Sequence, residues 1–306
     1  MTDKFKNTFS WSVSRDNTLR ECPRMYFFSY YGHWDGWNRD ADKRTRDIYV
    51  LKNLKNRYTW PGQVVHECIA RSLQNLSRGI PVLKLEEILR ITRTMMREDF
   101  RQSRSGKYRQ NPKTYAGLFE HEYSVDVTDE DWKAAADGVD LCLTNFYESD
   151  HYRALTELAP EHFLEIEEFA AFDFRGTKVR IKLDCATRED DRIVVWDWKT
   201  GKREEDEGVS PQMACYALYA HDAYGVPVDR VVTRRFDLYR NYLLEDSVTQ
   251  RSLDDIQAYI EGSIEDMQGL LKDREENVAD EVDFRKVERR RICLGCNFLK
   301  VCQPNI

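Results

Sequence analysis

An α/β fold with a central mixed sheet flanked by helices is predicted by two observations. Segments of helical period bracket the middle of the chain on both sides, and between residues 163 and 198 three stretches alternate apolar and polar residues across clear turn signals. Composition limits the remaining choices. The 306 residues are 41% hydrophobic and 33% charged with 14 Gly and 8 Pro, which excludes collagen-like and disordered chains and fits one or two globular domains.

The elements follow in order. Residues up to about 60 mix aromatics with both charges and show no simple period, but 17–31 reads as a helix capped by Asp16 or Asn17. Cys22 then falls in its first two turns, and Pro23 fits only near a helix start. Residues 61–77 place Val64, Val65, Cys68, Ile69 and Leu73 at helical spacing, with His66 in the second turn. In the helix expected over 85–105, Arg90, Arg93, Arg97, Arg101 and Arg104 recur at intervals of 3, 4, 4 and 3, so their guanidinium groups share one face. Another helix covers 128–148. Residues 163–174, 177–187 and 192–198 then form three strands of an antiparallel meander, turning at Arg175-Gly176 and over 189–191. A helix over 209–224, a strand hairpin over 228–248 turning near Arg240-Asn241, and a charged helix over 250–276 complete the chain, with no internal repeat.

Several function classes are excluded early. No apolar run approaches the roughly 18 to 20 residues of a spanning helix. The opening MTDKFKNTFSWSVSRDN lacks the apolar stretch of a secretory signal, so a cytoplasmic location is the expected default. Eight cysteines in a reducing compartment call for a role other than disulfides. The balance of 47 basic to 54 acidic residues argues against nonspecific coating of nucleic acid, yet the distribution is patchy, with eight bases and two acids over 88–113.

The chemistry concentrates on the meander. Asp184 and Asp197 fall on consecutive strands joined by a short turn, where hairpin pairing brings two carboxylates within reach of one divalent cation. Lys199 leaves the strand on the same face as Asp197. Two carboxylates and an ammonium repel and attract in a way that a cation and a phosphate would complete. A lone D-x-K is more often a ladder of charged residues on an exposed sheet. The following helix adds Gln212 and Tyr216 on one face, and the preceding one adds His66, a nitrogen ligand for an otherwise all-oxygen site.

With GQVVH, VRIKLD, DWKTG and QMACY in this order, the chain resembles the PD-(D/E)XK nuclease superfamily and its RecB-type branch. The resemblance implies a restriction-endonuclease-like core in which His66, Asp184, Asp197 and the main-chain carbonyl of Trp198 ligate Mg²⁺ or Mn²⁺. It further implies that Lys199 positions the hydrolytic water while Gln212 and Tyr216 orient nucleic acid. Leu183 stands where the superfamily name has proline.

The cysteines form a second signal. Cys293, Cys296 and Cys302 are spaced Cys-x2-Cys-x5-Cys, one ligand short of a four-coordinate site, and spacing alone suits structural Zn²⁺ or an iron–sulfur cluster equally. With Cys22 as the distant fourth ligand, the pattern resembles the iron–sulfur exonucleases of CRISPR adaptation (the Cas-four type) and the AddB nuclease domain, which implies a [4Fe–4S] staple joining the termini. Cys68, Cys142, Cys185 and Cys215 lie in or beside apolar runs and read as core.

The reading is therefore a single nuclease domain over 1–306, with a largely helical insertion over 80–160 whose arginine face tracks phosphates. The expected activity is metal-dependent hydrolysis of DNA, as an exonuclease on single strands or ends, in CRISPR adaptation, DNA repair or phage defence. No G-x4-G-K-[ST] sequence occurs, so a helicase or CRISPR integrase partner would supply any motor. A non-catalytic nucleic-acid-binding module and a zinc-stapled interaction protein are the other classes this sequence suits.

Overall fold

The computed structural model describes residues 6–201 and 209–303, so the first five residues of the opening segment lie outside the described residues. Its helices are α1 (Val13–Glu21), α2 (Pro23–Phe27), α3 (Lys43–Lys52), α4 (Thr59–Leu76), α5 (Leu85–Arg104), α6 (Phe119–Glu122), α7 (Asp129–Tyr147), α8 (Asp150–Glu157), α9 (Pro211–Tyr224), α10 (Gln250–Gly269), α11 (Arg290–Leu294) and α12 (Leu299–Cys302). Its strands are β1 (Phe163–Ile166), β2 (Phe169–Phe174), β3 (Thr177–Lys182), β4 (Cys185–Glu189), β5 (Arg192–Lys199), β6 (Val231–Asp237) and β7 (Tyr242–Ser247).

Five strands form one sheet in the order β1-β4-β5-β6-β7. Only β5 and β6 run parallel, and α9 supplies the crossover between them, so the sheet is mixed as expected. Strand β5 is central and buried on both faces, which is why RIVVWDWK is nearly continuous in apolar character instead of alternating. Its side chains still alternate in direction. Ile193 and Val195 pack with Met213, Ala217 and Leu218 of α9 and Leu253, Ile256 and Ile260 of α10. Val194, Trp196 and Trp198 pack on the other face with Val64, Ile69 and Leu73 of α4 and Leu143 and Phe146 of α7. Asp197 and Lys199 share the parity of Ile193 and Val195 and so belong to the α9 side. Among the described residues no helix is long and apolar enough to cross a membrane.

The meander differs from expectation in two places. Residues 163–174 are not one strand: β1 ends at Ile166, Glu167 adopts φ +54, and β2 restarts in a separate two-stranded sheet with β3. Residues 177–187 likewise break at Leu183 and Asp184 between β3 and β4. An alternation of polarity cannot reveal a change of sheet, because both segments keep the same period. Asp184 therefore precedes a strand, although the Cys185↔Trp196 pairing still sets it across from Asp197.

The amino-terminal helix also divides. Ser12, not Asp16 or Asn17, caps α1 through its side chain. Cys22 is extended at φ −161, ψ 114, and Pro23 opens α2, because a residue before proline is driven out of the helical region. Cys22 is thus a joint between helices and not part of a first turn. His66 lies in the third turn of α4, which starts two residues earlier than expected, and α10 ends at Gly269 instead of continuing to 276. Helix α3 has no counterpart among the expected elements.

Asp16 anchors the amino-terminal segment. Fully buried, it accepts hydrogen bonds from the hydroxyls of Ser263 and Tyr259 on α10 and from Nε of Arg20 at 2.8 Å, while Trp11 Nε1 donates to Ser263 Oγ at 2.8 Å. Asp16→Ala strands these donors, and roughly 2–4 kcal/mol of stability should be lost in urea denaturation, against under 0.5 kcal/mol for the exposed Glu265→Ala.

Candidate metal centre

The site lies at the carboxyl end of β5. Asp184 and Asp197 are 8% and 3% exposed, so each carboxylate needs a partner to be charged at all. Asp184 Oδ2 accepts the main-chain N–H of Trp198 at 2.7 Å, and Oδ1 lies 3.0 Å from Nδ1 of His66 on α4. The Lys199 carbonyl accepts from Leu238 on the β6 side, so the parity of the ladder turns the N–H and carbonyl of Trp198 toward Asp184. Gly62 makes the approach of α4 feasible, since a Cβ there would stand 2.7 Å from Thr200 Oγ1.

Asp197, on the α9 side, accepts from Gln212 Nε2 at 3.3 Å through Oδ1. Its Oδ2 forms an ion pair with Lys199 Nζ at 2.8 Å and has no other hydrogen-bond partner among the described residues. Burial first, and Asp184 second, push its carboxyl up to about 6. Lys199 Nζ donates to Gln212 Oε1 at 3.1 Å, Gln212 Nε2 donates to Tyr216 Oη at 2.7 Å, and Tyr216 donates to the Lys182 carbonyl at 2.7 Å. In this structure Gln212 and the buried Tyr216 therefore bond to protein groups and hold Lys199 and Asp197 in place.

One member of the site was not expected. Glu167 Oε1 lies 3.2 Å from His66 Nδ1, and Glu167 is also paired with Lys182. The ligand atoms of His66, Glu167 and Asp184 all lie within 4.8 Å of one another, and Asp197 stands outside this trio. Glu167 occupies the left-handed backbone joint between the sheets, a conformation that costs a non-glycine residue about 1 kcal/mol or more and that concentrates at functional sites. Nothing in EIEEF distinguished it from its neighbours without knowledge of that break. Arg235 was missed too: it registers beside Asp197 on β6, lines the same cleft and pairs with Asp246 at 3.1 Å.

The donor set fits a divalent cation. Two buried carboxylates, one with an oxygen lacking a hydrogen bond, and an imidazole between Asp184 and Glu167 offer hard oxygen ligands with a single nitrogen. The cleft that they line, about 1190 Å³, is walled by Arg15, Arg180, Lys182 and Lys199, a complement to an anionic substrate.

The four cysteines meet as well. Cys22, Cys293, Cys296 and Cys302 line one cavity with Met25, Phe28, Val287, Ile292 and Leu299, and with Arg24 and Lys286. No three of their sulfurs lie within 4.8 Å of one another. Burial pushes the Cys296 thiol up to about 12, so without a bound cation it is a neutral thiol. Cys142, Cys185 and Cys215 are buried core, and Cys68 packs against Thr92. The five arginines of α5 are all exposed, none lines the cleft, and Arg93 is engaged by Asp140 at 2.6 Å.

Burial lowers the His66 pKa, but Asp184 and Glu167 outweigh it and raise the group to about 10. This ion pairing stabilises the metal-free protein fully below the ordinary value of 6.5 and is lost as pH rises through about 10. Mn²⁺ added to chelated protein at pH 8 should therefore release about one proton per ion, read by calorimetry in buffers of different ionisation enthalpy. His66→Gln should abolish the release, and a wild type that releases none would remove His66 from the ligand set.

A family model described as the PD-(D/E)XK nuclease superfamily matches residues 10–303, nearly the whole chain. No curated protein matches it. With a mixed sheet flanked by helices and a His, Glu and Asp cluster at the sheet end, the chain belongs to the PD-(D/E)XK nuclease superfamily, whose members are typically metal-dependent nucleases.

Proposed function

We propose that the protein hydrolyses DNA phosphodiesters as an exonuclease on single strands or ends, using Asp184, Asp197, His66 and the Trp198 carbonyl as metal ligands. A Mg²⁺ or Mn²⁺ ion there would supply Lewis acidity at a phosphoryl oxygen and a lowered pKa for water. The observation that carries this reading is the relay Lys199–Gln212–Tyr216–Lys182 carbonyl, which anchors an ammonium beside a buried carboxylate facing the cleft. In that position Lys199 orients the attacking water and offsets charge building on the phosphate, while Gln212 fixes its direction and shares Asp197. Arg180 and Lys182 on the cleft wall bind the strand. Phosphate contacts on the exposed α5 arginines of the helical 80–160 segment would extend that surface away from the cleft.

The four cysteines support a [4Fe–4S] cluster over Zn²⁺. The apolar lining with Arg24 and Lys286 suits a buried anionic cluster. Such a staple links α2 to the carboxyl terminus and would serve a nuclease of CRISPR adaptation, repair or phage defence, with a helicase or integrase partner supplying translocation.

End-labelled DNA incubated with anaerobically purified protein and Mg²⁺ or Mn²⁺ should be degraded from its ends. Asp197→Ala and Lys199→Ala should each slow cleavage by about 10³-fold or more, and Gln212→Ala by about 10–100-fold. A loaded, folded protein that cuts no DNA would favour the binding module. The same preparation should be brown, absorbing near ~400 nm, and Cys296→Ser should bleach it; a colourless protein containing one zinc would overturn the cluster.

A further inference from the structure

Beside the cleft two cations converge on one tyrosine, with a third nearby. The guanidinium carbon of Arg15 stands 4.4 Å from the centre of the Tyr30 ring, and the ammonium of Lys52 stands 5.6 Å from it. Arg15 and Tyr30 line the cleft together with Ser12 and Ser14. Lys113, exposed on the loop after α5, is near enough for its charge to act on both Lys52 and His33. Burial first, then Arg15 and Lys113, lower the Lys52 pKa to about 8.

Among the described residues no carboxylate pairs with this group. Among the described residues Arg15, Lys52 and Lys113 form no ion pair, whereas Arg93, Arg109 and Arg234 are each matched by a carboxylate. Lys52 turns instead to Nε2 of buried His33 at 2.8 Å. Burial and Lys52 depress that imidazole to about 3, so it is a neutral acceptor and brings no negative charge. Like charges gathered at the mouth of a cleft are costly alone and complementary to an anion.

We propose that Arg15, Lys52 and Lys113 hold a phosphate of the substrate strand at the mouth of the cleft, with the Tyr30 ring as its floor. The proposal rests on the nuclease reading and adds a subsite to it. That phosphate is either an internal one, displaced along the strand from the scissile bond, or the terminal phosphate of an end.

The test is binding of internally labelled single strands by the full chain, with Ca²⁺ in place of Mg²⁺, read by fluorescence polarisation over a salt series. Lys113→Glu and Lys52→Met should each weaken binding about 10-fold and lower the slope of log Kd against log salt by about 0.7–1. Arg251→Glu on α10, exposed and away from the cleft, is the comparison for a charge change elsewhere on the surface. Equal losses on circular, phosphorylated and dephosphorylated strands would assign the internal phosphate, and losses confined to 5′- or 3′-phosphorylated strands the terminal one. Should Lys52→Met fail to fold, Lys113→Glu decides, because its side chain is exposed. Wild-type binding with Kd and slope unchanged in the lysine variants would overturn the subsite and leave the nuclease standing. A wild type that binds no strand at all would overturn both.

Discussion

Two carboxylates buried at the end of a central strand are the constraint on which the rest of this structure depends. Asp184 and Asp197 are both deeply buried, and burial together with Asp184 raises the cost of ionising Asp197. The surroundings answer that cost with a main-chain N–H, an imidazole, an amide and an ammonium, drawn from β5, α4 and α9. Even so, one oxygen of Asp197 keeps no hydrogen bond among the described residues.

The two-faced packing of β5 delivers these groups. Its even-numbered residues, Val194, Trp196 and Trp198, seat α4 and hence His66, while its odd-numbered apolar residues seat α9 and hence Gln212 and Tyr216. The same alternation that buries two hydrophobic layers aims Asp197 and Lys199 at α9 and the Trp198 main chain at Asp184. Site geometry and core packing are therefore one property, and a shift of register by one residue would reverse every side chain of the strand.

Packing and polar contacts bring the two ends of the described chain together. Arg24 hydrogen-bonds the Phe284 carbonyl at 2.8 Å and pairs with Glu281 at 2.7 Å, while Phe284 is buried against Tyr26, Phe27 and Tyr31. This aromatic packing brings α2 to the carboxyl-terminal segment, so that Cys22 reaches the cavity of Cys293, Cys296 and Cys302. The break before Pro23 matters to this, because an uninterrupted helix would not leave Cys22 extended at the joint.

The sequence by itself determined the helical periods of α4, α5, α7 and α9, the hairpin that sets Asp184 across from Asp197, the D-x-K parity and the Cys-x2-Cys-x5-Cys spacing, because each is a short-range spacing along one element or one turn. Only the tertiary structure decided that 163–174 divides between two sheets, that Glu167 joins His66 and Asp184 at that division, and that Gln212 and Tyr216 bond inward to Lys199 and Lys182. The reason is physical: periodicity reports which face of an element is buried, but which elements meet, and which charges are left unmatched where they do, depends on contacts between residues tens to hundreds of positions apart.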